Sequence, residues 1–226
     1  MVDNLTYFID NNSLCDKVYE FLRRQIMSGE LPPETRLPET ELAASMNVSR
    51  APIREALNML CNDGFVVKVP RHGAIVAPVT RKEAEDNWDL RKLIEPYAAK
   101  AACGRIPREE LLEIKKLITE TSVAGNHDMY MDSDYRTHSI IYQYVPNSQL
   151  QSVLKQAMLN SMRYRFYAEN NHPTYDSLIK TVCEEHLSLV DALLKEDADL
   201  AYETMRQHIE KGHNRFEEQF VAINKD

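Results

Sequence analysis

Three pairs of side chains in this sequence are spaced for chemistry. The stretch VSRAPIREAL (Val48 to Leu57) carries Arg50 and Arg54 four residues apart. On a helix that spacing presents two guanidinium forks on adjacent turns, each able to grip a guanine edge or a phosphate through two hydrogen bonds. The stretch DYRTHSII sets Asp134 and His138 four apart, so a helix would carry a carboxylate and an imidazole on one face. His186 and His208 each lie 11 residues from Asp197, the middle of the turn KEDAD. In an antiparallel helix hairpin they stand at the same height. Both lie in apolar stripes, His186 with Leu189, Val190 and Leu193, His208 with Ala201, Met205 and Ile209, so two imidazoles should face inward side by side. A third imidazole and a carboxylate would complete a site for a divalent transition metal. Zn suits that set, as do Ni, Mn and Fe. The plainer alternatives are solvated arginines paired with Glu55 or Asp63, and core histidines bonded to backbone or to Glu184 or Glu185.

These side chains need elements to hold them. Leu14, Val18, Phe21, Leu22 and Ile26 recur at helical spacing, with Ser13 and Asp16 able to cap the start. Gly29 and three prolines then break the pattern, and a short helix follows in ETELAASM. Asn47 sits where the chain must turn, and Asn tolerates the left-handed conformation. Ser49 can cap a third helix running to about Asn62, with Pro52 in its first turn, where a missing N–H costs little. On a wheel of about 100° per residue, Ile53, Ala56, Leu57 and Leu60 form the buried side and Arg54 points about 110° away. Ala51, Glu55 and Asn58 point still farther, and Arg50 occupies the exposed N-terminal end.

Past Gly64, the β-branched runs FVVKV and AIVAPV flank PRHG, the signature of a hairpin. Its tip, Arg71, His72 and Gly73, offers a cation, a polar ring and close backbone approach, which suits the minor groove or the sugar-phosphate edge. Three helices and a hairpin make a winged helix-turn-helix over residues 1–78. From residue 79 to 226 the texture is helical throughout. Thr80 and Glu83 form a capping box, and helices are expected near 81–103, 107–122, 127–144, 148–168, 175–194 and 198–220. The fold class is therefore mostly α, an N-terminal winged helix-turn-helix plus a C-terminal all-α helical bundle.

Charge complicates a nucleic-acid reading. The chain has formal net charge -8 and a pI of about 5.4. Residues 1–79 hold 8 Lys and Arg against 10 Asp and Glu, and the rest hold 19 against 25, so most of the acidity belongs to the helical part. Within residues 50–72, Arg50, Arg54, Lys68 and Arg71 outnumber Glu55 and Asp63. So small a basic island neutralises few phosphates and binds weakly alone. A homodimer doubles the contacts and reads a palindrome. No run approaches the roughly 20 apolar residues of a membrane span, and MVDNLTYFIDNN lacks the pattern of a signal peptide, so the expectation is a cytoplasmic protein with no membrane partner. Cys15, Cys61, Cys103 and Cys183 are too far apart for a C-x-x-C site and read as reduced, mostly buried thiols.

The stretch ETRLPETELAASMNVSRAPIREALNMLCNDGFVVKVPRHGAIVAPV resembles the DNA-binding domain of GntR-family transcription regulators. It carries their R-L-x-E-x-x-L-A and V-S-R-x-P-hydrophobic-R-E-A-L patterns, a Gly before the first wing strand, and a Gly-bearing wing. The resemblance implies that Arg36, Arg50 and Arg54 are the main contacts to double-stranded DNA, with Ser49 and Ala51 beside them and Arg71, His72 and Gly73 at the wing tip. Ala51 stands where the family often has Thr, and Asn47 replaces a common Gly. DYRTHSII, EEHLSLVDALLKEDADLA and MRQHI resemble the FCD effector domain of the FadR branch, in its shorter VanR-like form. By that resemblance the metal ligands are Asp134, His138, His186 and His208. A small carboxylate effector would occupy the open metal positions. Arg91 matches the family's first-helix arginine, Arg163 is a second candidate contact, and Asn160, Tyr164 and Arg165 are further ones. The plainer role for Arg91 is an intrahelical pair with Glu95.

The expected function is a dimeric, ligand-responsive transcription regulator, repressing until a small carboxylate binds at the metal-containing helical domain. Two alternatives are a regulator that senses the metal itself and a metal-dependent hydrolase with Glu184 or Glu185 as base. Against the hydrolase, the sequence has no H-E-x-x-H motif and no evident nucleophile, so no enzymatic activity is expected.

Overall fold

The computed structural model describes residues 13–70, 73–169 and 175–223. The chain divides between Pro78 and Val79 into two compact units.

Among the described residues, the first unit holds three helices and a two-stranded sheet. Helix α1 (Leu14–Met27) opens on a full capping box between Ser13 and Asp16. It buries Val18, Leu22, Ile26 and Met27. Leu14 and Phe21, expected on the same stripe, are half exposed because they flank the buried arc. Helix α2 (Glu39–Ser45) leads through Asn47, at φ 52°, into α3 (Arg50–Asn62), the helix-turn-helix step. Ser49 is the N-cap residue of α3, but its side chain makes no cap hydrogen bond, contrary to the expectation from sequence. Ile53, Ala56, Leu57 and Leu60 are the buried face of α3, packed mainly on α1. The Tyr19 hydroxyl donates to Asp63 at 2.5 Å and ties α1 to the end of α3. Strands β1 (Val66–Val69) and β2 (Gly73–Val76) pair antiparallel, Val66 opposite Val76 and Val69 opposite Gly73. Arg36 bridges to Ile75, which anchors the segment before α2 against the wing.

Among the described residues, the second unit holds six helices: α4 (Arg81–Ala102), α5 (Arg108–Ala124), α6 (His127–Gln143), α7 (Ser148–Glu169), α8 (Tyr175–Leu194) and α9 (Ala198–Ile223). Thr80 and Glu83 close the expected capping box at α4. Gly125, left-handed at φ 58°, ends α5. Helix α4 lies against α7 and α9, and α8 against α5 and α9. Gly212 is required by packing: a Cβ there would stand 2.9 Å from the Trp88 ring. Trp88 in turn lies under the Arg91 guanidinium, 4.7 Å from ring centroid to Cζ. Among the described residues no helix is long and apolar enough to cross a membrane. All four cysteines are free, but only Cys183 is buried and the other three are partly exposed. Burial pushes the Cys183 thiol up to about 11, so it stays protonated at neutral pH.

Candidate DNA-reading face and buried histidine centre

The candidate reading face is built on α3. Arg50 and Arg54 leave one side of the helix because the apolar positions 53, 56, 57 and 60 turn the other side inward. Both are well exposed. They border a groove of about 680 Å³ whose walls include Glu39, Asn58, Lys68 and Gly73. Lys68 on the wing donates to Asn58 at 2.7 Å, joining strand and helix. Arg36, Ser49 and Ala51 are exposed, and Gly73 opens β2. Arg71 and His72 lie outside the described residues.

Sequence reading missed Glu39. Neither Glu55 nor Asp63 engages the two arginines in the way Glu39 does. Its carboxylate accepts from Arg54 Nε at 3.2 Å and Nη2 at 3.0 Å, and Arg50 Nη2 lies 3.5 Å away. The Arg54 hydrogen bonds hold the Glu39 carboxyl below the usual carboxylate range. The local positive charge is therefore smaller in space than along the sequence. The spacing gave no sign of this, because Glu39 and Arg54 are 15 residues apart and meet only through the α2–α3 turn.

The second constellation is buried in the helical unit. His138 on α6, His186 on α8 and His208 on α9 bring their ligand atoms within 4.8 Å of one another. The ring centroids of His186 and His208 are 4.6 Å apart, as the hairpin argument required. The turn itself is sharpened by Glu196, left-handed at φ 55°. Asp134, one turn before His138 and fully buried, places Oδ1 3.7 Å from His186 Nε2.

Carboxylates hold the rings. Glu95 Oε2 lies 2.9 Å from His138 Nδ1, and Glu185 Oε2 lies 2.8 Å from His208 Nδ1. The remaining nitrogens, His138 Nε2 and His208 Nε2, face each other at 3.3 Å. Arg215 donates to both Glu185 oxygens, at 2.8 and 3.0 Å. Burial alone would raise the Glu185 carboxyl, but the hydrogen bonds from His208 and Arg215 outweigh it and bring it to about 2. Burial would also raise Glu95, yet Arg91 and His138 win and it falls far below the usual range. His208 is pushed down by burial, which favours the neutral imidazole a metal needs.

Of the residues expected near an effector, Arg91 pairs with Glu95 and donates to Ser161 Oγ at 2.5 Å, so the plainer intrahelical pair does form. The same Glu95 connects Arg91 to His138, a link the sequence did not suggest. On α7, Arg163 donates to the Tyr164 hydroxyl at 3.2 Å and Asn160 accepts from Gln156 at 3.4 Å. The side chain of Arg165 lies outside the described residues.

A winged helix-turn-helix with two exposed arginines on α3, followed by a helical bundle around three buried histidines, is an architecture that suits a DNA-binding regulator of transcription. Residues 14–76 match the bacterial regulatory proteins of the gntR family, and residues 86–211 match the FCD domain. The chain belongs to the GntR family and carries an FCD domain. It is 24% identical to the HTH-type transcriptional repressor RspR of Escherichia coli (strain K12), over 86% of this chain and 85% of that one. It is 26% identical to the gluconate operon transcriptional repressor of Bacillus licheniformis, over 89% and 84%. Among solved structures, E. coli McbR/YncC superposes with a TM-score of 0.78 at 19% identity, covering 92% of this chain and 99% of that one. A metal-free FCD domain of TM0439 superposes with 0.55 at 19% identity, covering 65% and 99%. The family and these relatives are regulators, not enzymes, which disposes of the hydrolase alternative.

Proposed function

We propose that this regulator binds a palindromic operator as a homodimer in the cytoplasm and is released by a small carboxylate that engages a metal ion in the helical domain. In this reading residues 1–78 are the DNA-binding domain and 79–226 the effector-binding and dimerisation domain. Arg36, Arg50 and Arg54 grip DNA, aided by Ser49, Ala51, Arg71, His72 and Gly73. Asp134, His138, His186 and His208 hold the metal, with zinc favoured. Arg91, Asn160 and Arg163 neutralise the effector.

One observation carries the metal reading. Glu95 and Glu185 each take the Nδ1 hydrogen of a histidine, which leaves the lone pairs of His138 Nε2 and His208 Nε2 pointing at each other across 3.3 Å. Two such acceptors repel unless a proton or a metal ion lies between them. Two nitrogens bound at about 2.0–2.1 Å to one tetrahedral zinc are about 3.3 Å apart. Carboxylates on the far ring nitrogens are the usual support of metal-bound histidines, since they fix the tautomer and raise ligand basicity. A metal ion held by these residues would supply a fixed positive charge to which an anionic effector could bind. A gluconate operon repressor among the relatives supports a hydroxycarboxylic acid as the effector class.

Two winged domains on half-sites about 34–36 Å apart tolerate little misplacement. A differential affinity of a few kcal/mol between DNA-competent and incompetent states is enough for control. The test uses a duplex that the full chain selects from a random pool, followed by anisotropy. Malate, citrate and gluconate are titrated against the zinc-loaded and the chelator-stripped protein. Release by one acid, weakened at least tenfold by stripping, is expected. Equal release from stripped protein contradicts the metal's role, and release by zinc alone makes the metal the signal.

A further inference from the structure

The groove beside α3 carries a third cation, Lys68 on β1. Side chains alternate along a strand, so Lys68 shares the face of Val66, which is buried in the core of the first unit. The core ends between the two, because Lys68 is exposed. Opposite it across the hairpin stands Ala74, a small side chain. The Lys68 ammonium turns toward α3 and donates to Asn58 Oδ1 at 2.7 Å. Asn58 is one turn beyond Arg54 and two beyond Arg50, so the three line one side of α3 over about 12 Å. All of them, with Lys68, border the groove of about 680 Å³. The cations differ in one respect. Arg54 and Arg50 lie 3.0 and 3.5 Å from the Glu39 carboxylate, which offsets part of their charge. Lys68 is held by a neutral amide instead, and among the described residues it forms no ion pair.

We propose that Lys68 grips a backbone phosphate of the DNA strand that passes between α3 and the wing, and that Asn58 is its positioning residue. A helix in the major groove and a hairpin tip at the adjacent minor groove straddle one sugar-phosphate strand. A cation between them therefore meets phosphate rather than a base edge. Lysine suits that target, since it binds phosphate as a compact point charge and needs no two-pronged match. Asn58 accepts one of the three ammonium hydrogens and leaves two for phosphate oxygens. A lysine already held loses less side-chain freedom on binding than a free one. The competing role for Asn58 is to read an adenine, which takes both ends of the amide, Oδ1 for the N6 amino group and Nδ2 for N7. Oδ1 is engaged by Lys68. Asn58 also stands two turns from the N-terminal end of α3, the end that a helix-turn-helix sets against base edges. A phosphate contact carries no sequence information, but it fixes the register of the reading helix on the duplex.

The inference rests on the reading that α3 enters the major groove, and the experiment separates the two. The full chain is titrated by anisotropy against the duplex it selects, from about 0.05 to 0.3 M salt. Lys68→Met is expected to flatten the plot of log affinity against log salt by about 0.9 per copy, with affinity at about 0.1 M salt falling about threefold or more. The loss should be equal on duplexes that carry single base-pair changes, because a phosphate contact is blind to sequence. Lys68→Arg keeps the charge and should keep the wild-type slope. Asn58→Ala should also keep the slope, since the cation stays, while weakening binding about two- to tenfold. Added to Lys68→Met, it should cost nothing further, because a positioning residue acts only through the residue it holds. An unchanged slope in Lys68→Met overturns the phosphate contact. A further loss from Asn58→Ala in the Lys68→Met background, or relaxed discrimination at one base pair, overturns the positioning role and makes Asn58 a base reader. Full affinity in Arg50→Ala overturns the placement of α3 itself, whatever Lys68→Met does.

Discussion

The molecule uses the same pair of side chains twice, with opposite consequences. On the candidate reading face, Arg54 and Glu39 are 58% and 31% exposed; in the helical core, Arg91 and Glu95 are 4% and 0% exposed. Both are arginine–carboxylate hydrogen-bonded pairs. At the surface, water and salt screen the attraction, and the arginine can exchange its carboxylate for a phosphate or a base edge at little cost. In the core each charge would be stranded without the other, so the pair behaves as a fixed unit and orients His138 through the second Glu95 oxygen. One pair suits a reversible contact with a macromolecule; the other suits a permanent support for a binding centre.

The largest effect expected from breaking this contrast is in stability. Glu95→Ala strands a buried guanidinium and removes the carboxylate on His138 Nδ1, so it should cost about 3–5 kcal/mol in chemical denaturation. Glu39→Ala should stay within about 1 kcal/mol of the wild type in the same assay. A comparable loss from both would erase the distinction. Next in size is the support of the histidines. Glu185→Gln should lower metal affinity about 10–100-fold, read by competition with a chromophoric chelator, with the metal still bound at saturation. On the reading face, Arg54→Ala should weaken binding to the selected duplex by about 1–3 kcal/mol if it reads a base, and Arg50→Ala should abolish measurable binding while leaving helicity and oligomeric state intact. The smallest effect should come from Glu39→Gln. Removing a negative charge that competes with phosphate should tighten DNA binding by about 0.2–1 kcal/mol at low salt, and the gain should fade as salt rises. Weaker binding would mean that Glu39 orients Arg54 for its contact rather than competing with the DNA.

The same contrast marks what could be read from the sequence. Periodicity located the buried face of α3 at Ile53, Ala56, Leu57 and Leu60, because burial repeats with the helix. Counting from the turn at KEDAD placed His186 beside His208, because an antiparallel hairpin converts sequence distance into height. Pairs within one helix, such as Arg91 with Glu95, follow from spacing alone. Other contacts between elements did not. Glu39 on Arg54 and Glu95 on His138 depend on how separate helices meet and on the rotamers of long side chains. Nothing in the local pattern encodes either. The Ser49 cap failed for a related reason: a suitable residue at a helix start offers a hydrogen bond but does not compel it. Glu185 was legible as one of two possible partners for a histidine, and only the packing of α8 on α9 selects it over Glu184.

The facing nitrogens of His138 and His208, 3.3 Å apart, are proposed to take a metal cation. Elemental analysis of the full chain, purified without chelator, tests it most directly. About one transition-metal ion per chain is expected in the wild type, with zinc the favoured metal, and its loss in His208→Ala. A wild type that carries no metal and takes up none from micromolar zinc, or a His208→Ala variant that keeps a full equivalent, would contradict it.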